Sequence, residues 1–401
     1  MGHQHAYGFK AFVLCLGLTC VQACSNIQTH KTLSPSAGCS DGTVSIEANF
    51  DGANMGRCEV VGERSFRLYL SPEDNPINNS PWYAFRVFGT DGTAGTVDVE
   101  MRYELHSHRY APKLSVDRDV WTLLDADQVD IREDGKVVTL SLDMSEGPLW
   151  IAGQELVTQL DYERWMRDLE SQYGAVVSTI GQSRDGRPIY LLESDVVDMP
   201  AKETLVLLGR AHPPEVTGAL AMRQFVDHLF EQHQEFLKTH KLFIVPLLNP
   251  DGVARGYWRH GLGGLDLNRD WGPFSQPETA AVVRALDQRI EQGMRIRMML
   301  DFHSTHRNVF YTQTDKEDAE MGSFTARWFE QAKKADVYPF EHAQRHNAGR
   351  PTSKNYFHGR FQVPAITYEL ADSAPRDEIV RSTSRFADAL VQVLEEMQRE
   401  R

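Results

Sequence analysis

Cysteine is scarce and confined to one end of the chain. All five, Cys15, Cys20, Cys24, Cys39 and Cys58, precede residue 60 of 401. Beyond Cys58 no thiolate metal site or cysteine nucleophile can exist, so any chemistry there rests on other side chains. Positive charge is also in short supply: 42 Lys and Arg face 56 Asp and Glu, for a formal net charge of -14. No Lys/Arg stripe interrupts this acidity, which excludes nucleic acid as a partner. No internal repeat is present. The remaining composition, 41% apolar and 24% charged, is that of a globular protein, and the length fits two domains better than one.

Long apolar runs are missing too. The longest, Ala11 to Val21 after Lys10, is too short to span a bilayer and has the length of a signal-peptide core with a basic flank. Ala23-Cys24 follows and resembles a bacterial lipoprotein cleavage site, with plain secretory cleavage as the alternative. The expected order is a signal peptide over 1–23 and a tether over 24–40, with lipid on Cys24 and a periplasmic or cell-surface location. Removal of the leader leaves Cys39 and Cys58 as an even pair for one disulfide, in keeping with an oxidising compartment.

Residues 41–157 read as an all-β sandwich domain. Ser65–Leu70 alternates with period two, Trp82–Phe88 is aromatic and β-rich, and Thr96–Met101 and Val137–Leu142 repeat the pattern. Turns such as Gly89-Thr90-Asp91-Gly92 separate them. From 158 to 401 the texture changes to alternating helix and strand. Four runs, Thr204–Leu208, Leu242–Leu248, Ile296–Leu300 and Pro364–Tyr368, lack polar alternation and predict strands buried on both faces. Helical patterns lie over Tyr162–Gln172, Gly218–Phe236 and Pro277–Glu291. The fold class is therefore α/β, a mixed, largely parallel sheet with helices on both faces.

Ligands of open α/β sheets sit at the carboxyl ends of the strands, and each run leads there into polar residues. These are His212-Pro213-Pro214-Glu215, Asn249-Pro250-Asp251-Gly252, Asp301-Phe302-His303, and Glu369. Two histidines and a carboxylate, His212, Glu215 and His303, suit one Zn²⁺. Glu369 is left without a metal role and fits the general base of a metal-promoted hydrolysis. Each of these residues alone could be a satisfied core or surface group; their recurrence at successive strand ends makes the case.

At this point the sequence resembles the M14 zinc carboxypeptidase family over about residues 158–380. The motifs are Ile180-Gly181-Gln182-Ser183 through Gly186-Arg187-Pro188-Ile189, His212-x-x-Glu215, Asn249-Pro250-Asp251-Gly252, Trp258-Arg259, Gly264 to Trp271, Gln276-Pro277-Glu278-Thr279, Asp301-Phe302-His303-Ser304 and Thr367-Tyr368-Glu369-Leu370. The resemblance implies that His212, Glu215 and His303 ligate zinc and that Glu369 is the base and then the proton donor. It implies that Arg259 stabilises the oxyanion and that Asn268 and Arg269 clamp a terminal carboxylate. The segment Asn79 to Val87 is similar to the N-terminal β-sandwich of cytosolic-type carboxypeptidases, which points to a bacterial, exported member of that branch. Pro213 and Pro214 fill the loop where pancreatic-type enzymes carry an Arg. The equivalent of their mobile substrate-covering Tyr has Tyr356 as its candidate.

The implied function is removal of the last residue of a peptide that has a free C-terminal carboxylate. Arg350, Lys354 and Arg360 precede Glu369 and would favour an acidic last residue if they reach its pocket. An amidase or deacylase of the same fold, acting on cell-wall peptides or acyl-amino acids, is the alternative. A non-catalytic surface lipoprotein is a third reading, weakened because no ligand and no base has been lost.

Overall fold

The computed structural model describes residues 38–89, 94–144, 147–194, 203–313 and 323–400, together with Met1 and Gly2. The expected leader after Gly2, most of the tether, and the turn at Thr90–Gly92 lie outside the described residues.

The period-two segments pair as antiparallel and mixed sheets. One sheet joins Cys39–Ser40, Val44–Glu47, Ala84–Gly89, Leu149–Ala152, Lys113–Ser115 and Thr122–Leu123 in that order. The other joins Arg57–Gly62, Ser65–Leu70, Gly95–Tyr103, Val137–Met144 and Val129–Arg132. Alternate residues from both, including Ile46, Phe85, Val87 and Ile151 from the first and Phe66, Leu68, Val99 and Leu140 from the second, are buried in one core, as a face-to-face sandwich requires. A Cys39–Cys58 disulfide links the first strand of one sheet to the first strand of the other. The aromatic segment enters its strand at Ala84 rather than Trp82. Trp82 and Tyr83 instead use their polar tips: Trp82 Nε1 donates to Gly52 O at 2.8 Å and Tyr83 Oη donates to Tyr110 O at 2.9 Å.

Gln159–Arg399 builds the α/β body around an eight-stranded sheet. Its middle is four parallel strands in the spatial order His240–Val245, Glu203–Gly209, Arg295–Thr305 and Ala365–Ala371. The flanking pairs on either side include antiparallel ones. The runs lack alternation because both faces are covered. Leu205, Leu207, Leu242 and Ile244 share a core with the helices Val216–Gln232 and Arg376–Arg399. Val206, Leu208, Phe243 and Val245 share another with Pro277–Glu291. All four parallel strands carry their carboxyl ends to one edge, where the candidate site residues collect. Among the described residues no helix is long and apolar enough to cross a membrane.

Candidate active site

His212 and Glu215 occupy the short turn between the strand ending at Gly209 and the helix beginning at Val216. His303 lies near the carboxyl end of the neighbouring strand Arg295–Thr305. One donor atom from each of the three falls within 4.8 Å of the others, and all three are buried. The Nδ1 atoms of His212 and His303 lie 2.8 and 2.7 Å from the two oxygens of Glu215. The close fit depends on Gly218: a Cβ there would stand 2.4 Å from His303 O. The helix can pass against that strand only with a hydrogen at this position.

The outer nitrogens are held as well. His212 Nε2 is 2.9 Å from Asp266 Oδ1, and His303 Nε2 is 3.0 Å from Asp301 Oδ2. A ligating imidazole needs its far N–H on a carboxylate or carbonyl, which sets the tautomer and aims the near nitrogen. Two imidazole nitrogens and one carboxylate facing inward, each imidazole backed by an aspartate, are a donor set that fits Zn²⁺. In the protein alone, burial would raise Glu215, but His212 and His303 hold it well below the usual carboxylate range. Burial would lower His303, but Asp301 and Glu215 hold it well above the usual imidazole range.

Glu369 is the cross-strand partner of His303 in the parallel pair, so both side chains emerge on the same face. Its Oε2 is buried without a hydrogen-bond partner. Burial, reinforced by Glu215, pushes its pKa up to about 7 against the pull of His303, His212 and Arg259. A carboxylate oxygen buried without a partner beside a metal-ligand set is a costly arrangement unless a reactant completes it.

One aspartate organises the rest. Asp266 accepts from Arg259 Nε at 2.8 Å through Oδ2, and from the Asn268 backbone N–H at 2.8 Å through the same Oδ1 that meets His212. Burial would raise it, but His212 and Arg259 hold it well below its ordinary value. Asn268 is fixed through Oδ1, which accepts from Ser353 N at 2.9 Å. Arg269 donates to Asn268 O at 2.7 Å and keeps about 30% of its side chain exposed.

These groups line one cavity of about 350 Å³. His212, Glu215, His303, Glu369, Arg259, Asn268 and Arg269 all contribute to it, so the structure brings together the seven residues expected to hold metal, act in catalysis or bind substrate. Asn249–Gly252 does not join them. Asn249 caps the short helix Pro250–Ala254 and donates to Ala211 O and His260 O, bracing the loops that carry His212 and Arg259. Tyr356 is not over the cavity: it packs on Trp271 and Phe274. Tyr311, stacked on His346 at 3.9 Å, lines the cavity instead. Of the three cations before Glu369, Lys354 lines the cavity while Arg360 pairs with Asp287 outside it and Arg350 is exposed.

The sequence motifs include Asp266 and Asp301 but assign neither a role. That of Asp301 was findable, since residues two apart on a strand share a face. Sequence reasoning missed Asn78, Ser80 and Arg109, by which the β-sandwich contributes to the cavity wall. Arg109 donates to Asp372 at 2.9 Å and to Ser80 Oγ at 2.9 Å. A second cluster, His228, His233 and Asp388, also has metal-ligand chemistry. There both imidazoles already share Asp388 Oδ1, at 2.6 and 2.7 Å, which satisfies the group without an ion.

A family model described as zinc carboxypeptidase matches residues 162–384, and one described as cytosolic carboxypeptidase N-terminal domain matches residues 46–153. The chain belongs to the zinc carboxypeptidase family. The zinc the family carries is matched by the His212–Glu215–His303 donor set. Cytosolic carboxypeptidase 2 of Danio rerio is 23% identical over 315 residues, covering 70% of this chain and 44% of the relative. Cytosolic carboxypeptidase 6 of Mus musculus is 24% identical over 306 residues, covering 70% and 57%. The chain thus spans about half the length of these curated relatives. Among solved structures, a metallo-carboxypeptidase from Burkholderia cenocepacia superposes with TM-score 0.71 at 20% identity, covering 88% of this chain and 99% of that one. One from Pseudomonas aeruginosa, in complex with (2-guanidinoethylmercapto)succinic acid, gives 0.69, also at 20% identity. These likenesses carry the fold.

Proposed function

We propose that this zinc carboxypeptidase-family protein removes the C-terminal residue of peptides bearing a free terminal carboxylate, with one Zn²⁺ per chain on His212, Glu215 and His303. The observation that carries the reading is the single cavity in which Glu369, its Oε2 unbonded, stands beside the ligand set while Arg259, Asn268 and Arg269 line the same space. Bound there, zinc supplies Lewis acidity that polarises the scissile carbonyl and makes water reactive near neutral pH. Glu369 takes the proton from the attacking water and returns it to the leaving amine. Arg259, held by Asp266, places a cation where negative charge develops on the carbonyl oxygen. Arg269 and Asn268 bind the terminal carboxylate, the guanidinium fork matching its two oxygens, and so set the distance between the last peptide bond and Glu369.

The test compares one peptide with its C-terminal amide, using zinc-loaded wild type and Arg269→Ala. The acid should be cut and the amide should lose about 30-fold or more in kcat/KM, from about 2–5 kcal/mol of lost anion binding. Arg269→Ala should narrow that difference. If the amide is cut as fast as the acid, the protein is an amidase or endopeptidase and the carboxypeptidase reading fails.

We further propose a preference for an acidic last residue, supported by Lys354 at the cavity wall. Equal rates on peptides ending in Glu, Lys and Leu would count against it. Export with lipid on Cys24 remains our reading of the leader. The Cys39–Cys58 disulfide supports an oxidising compartment, and mass spectrometry of the mature N-terminus decides between lipidation, plain cleavage and retention.

A further inference from the structure

The segment that carries Arg259 is an irregular loop, so its backbone N–H groups have no ladder to join and need partners elsewhere. Those partners come from the β-sandwich. Glu73 accepts three consecutive N–H groups: Trp258 at 2.7 Å through Oε2, and Arg259 at 2.8 Å and His260 at 2.7 Å through Oε1. The neighbouring Asp74 meets His260 Nδ1 at 2.9 Å. The contact extends along the chain. Gly52 N donates to Ala254 O at 2.9 Å, Asn54 Nδ2 donates to Gly256 O at 2.8 Å, and a Cβ on Gly256 would stand 2.6 Å from Ala53 O. Trp258 is fully buried and anchors the loop.

One carboxylate gripping three successive amides fixes the φ/ψ of the residues between them, by charge-assisted bonds stronger than neutral ones. The middle amide belongs to Arg259, whose side chain then runs to Asp266. We propose that Glu73 is a positioning residue: from the β-sandwich it holds the Trp258–His260 backbone so that the Arg259 guanidinium stands where the oxyanion forms. The inference rests on the role given to Arg259 above. It assigns the sandwich a part in turnover: its Glu73 sets a group that acts on the transition state.

The test uses the full-length, zinc-loaded protein as wild type, Glu73→Ala, Arg259→Ala and the double variant, with Glu73→Gln as the milder change should Glu73→Ala fold poorly. Zinc content, kcat, KM and amide hydrogen exchange are measured. Glu73→Ala should keep one zinc per chain and leave KM within about 3-fold. It should lower kcat about 100-fold, as a displacement of about 1 Å can. In the Arg259→Ala background the same change should cost less than about 3-fold, because its effect passes through the missing side chain. Glu73→Gln keeps an acceptor for Arg259 N and His260 N and should recover part of the loss. An equal loss in both backgrounds would make Glu73 mere interface packing and overturn the proposal, as would an unchanged kcat. Exchange at the Trp258, Arg259 and His260 amides should speed up more than about 10-fold in Glu73→Ala. If wild type cuts no peptide, the peptidase reading fails by itself, and unchanged exchange at these three amides still overturns the hold of Glu73 on the loop.

Discussion

Asp266 serves three masters, and its two oxygens divide the work, so two substitutions there should separate two functions. Oδ1 meets His212 Nε2 and the Asn268 N–H; Oδ2 meets Arg259 Nε. In Asp266→Asn the side-chain oxygen can stay with His212 and the Asn268 amide, but the new NH₂ then faces the Arg259 N–H, donor against donor. Metal affinity should fall only about 10-fold, the low end for losing charge behind a ligating histidine. Arg259 loses its buried partner and its placement, so kcat should drop about 10²–10³-fold, the cost of removing one oxyanion donor. In Asp266→Ala both contacts go: zinc affinity should fall toward 100-fold, and the uncompensated Arg259 should destabilise the fold by about 3–5 kcal/mol. Zinc affinity is read by competition with a chromophoric chelator, kcat at saturating zinc, and stability by denaturant titration. If Asp266→Asn lost zinc as badly as Asp266→Ala while its saturated kcat stayed at the wild-type value, the division of labour drawn from these distances would be wrong.

Glu369→Gln should retain one zinc per chain and lose turnover, since a base is not a ligand; full activity in that variant would sink the assignment. The base must be ionised, and burial raises its pKa to about 7 in the metal-free site. A neighbouring Zn²⁺ pulls that value down, so kcat/KM should rise with pH along an acid limb whose midpoint lies below about 7; an acid limb centred above about 7 contradicts this. Lys354→Ala should reduce the rate on peptides ending in Glu more than on those ending in Leu, by about 10-fold or more if the ammonium meets the side-chain carboxylate; equal losses would remove Lys354 from the specificity pocket. Reducing Cys39–Cys58, which closes a loop of 19 residues, should destabilise the protein by about 3 kcal/mol, read as a lower midpoint in urea with reductant.

The catalytic body was legible in the sequence because its physics is local. A strand covered on both faces must be apolar throughout, and Thr204–Leu208 and Ile296–Leu300 show it; the residues that break the run at its carboxyl end are then few and conspicuous. That is why His212, Glu215, His303 and Glu369 could be found, and why all four line one cavity. The cations before Glu369 were read less well, for a geometric reason. Lys354 and Arg360 sit six residues apart on the helix Ser353–Phe361, about 240° around its axis, so both cannot face the cavity. The sequence pattern of that helix has too little apolar bias to say which one does.

What escaped altogether was the part of the site that depends on contacts between distant segments. Asp266 could have been caught, since it stands two residues before Asn268 in a motif already marked. Glu73 and Arg109 could not. Glu73 lies 186 residues before the amide it holds in Arg259, and Arg109 lies 263 before Asp372. No periodicity or spacing connects such pairs. Each reads locally as a charged residue in a polar turn of a β-rich region. Their placement matters because the metal set and the base stand at one sheet edge, whereas Arg259 reaches the same cavity from a separate loop. In this chain the loop that brings it, Trp258–His260, has no helix or strand of its own to stiffen it. Its rigidity is borrowed from the sandwich, through a carboxylate whose three hydrogen bonds do what a strand ladder does for His303. If that is so, cutting the chain between the two regions should cost the catalytic body more than surface area. The body expressed alone should bind zinc through His212, Glu215 and His303, whose supports Asp266 and Asp301 it retains, yet turn over about 100-fold more slowly at equal zinc content. A body that folds, binds zinc and keeps wild-type kcat without the sandwich would show that the Arg259 loop holds its shape unaided.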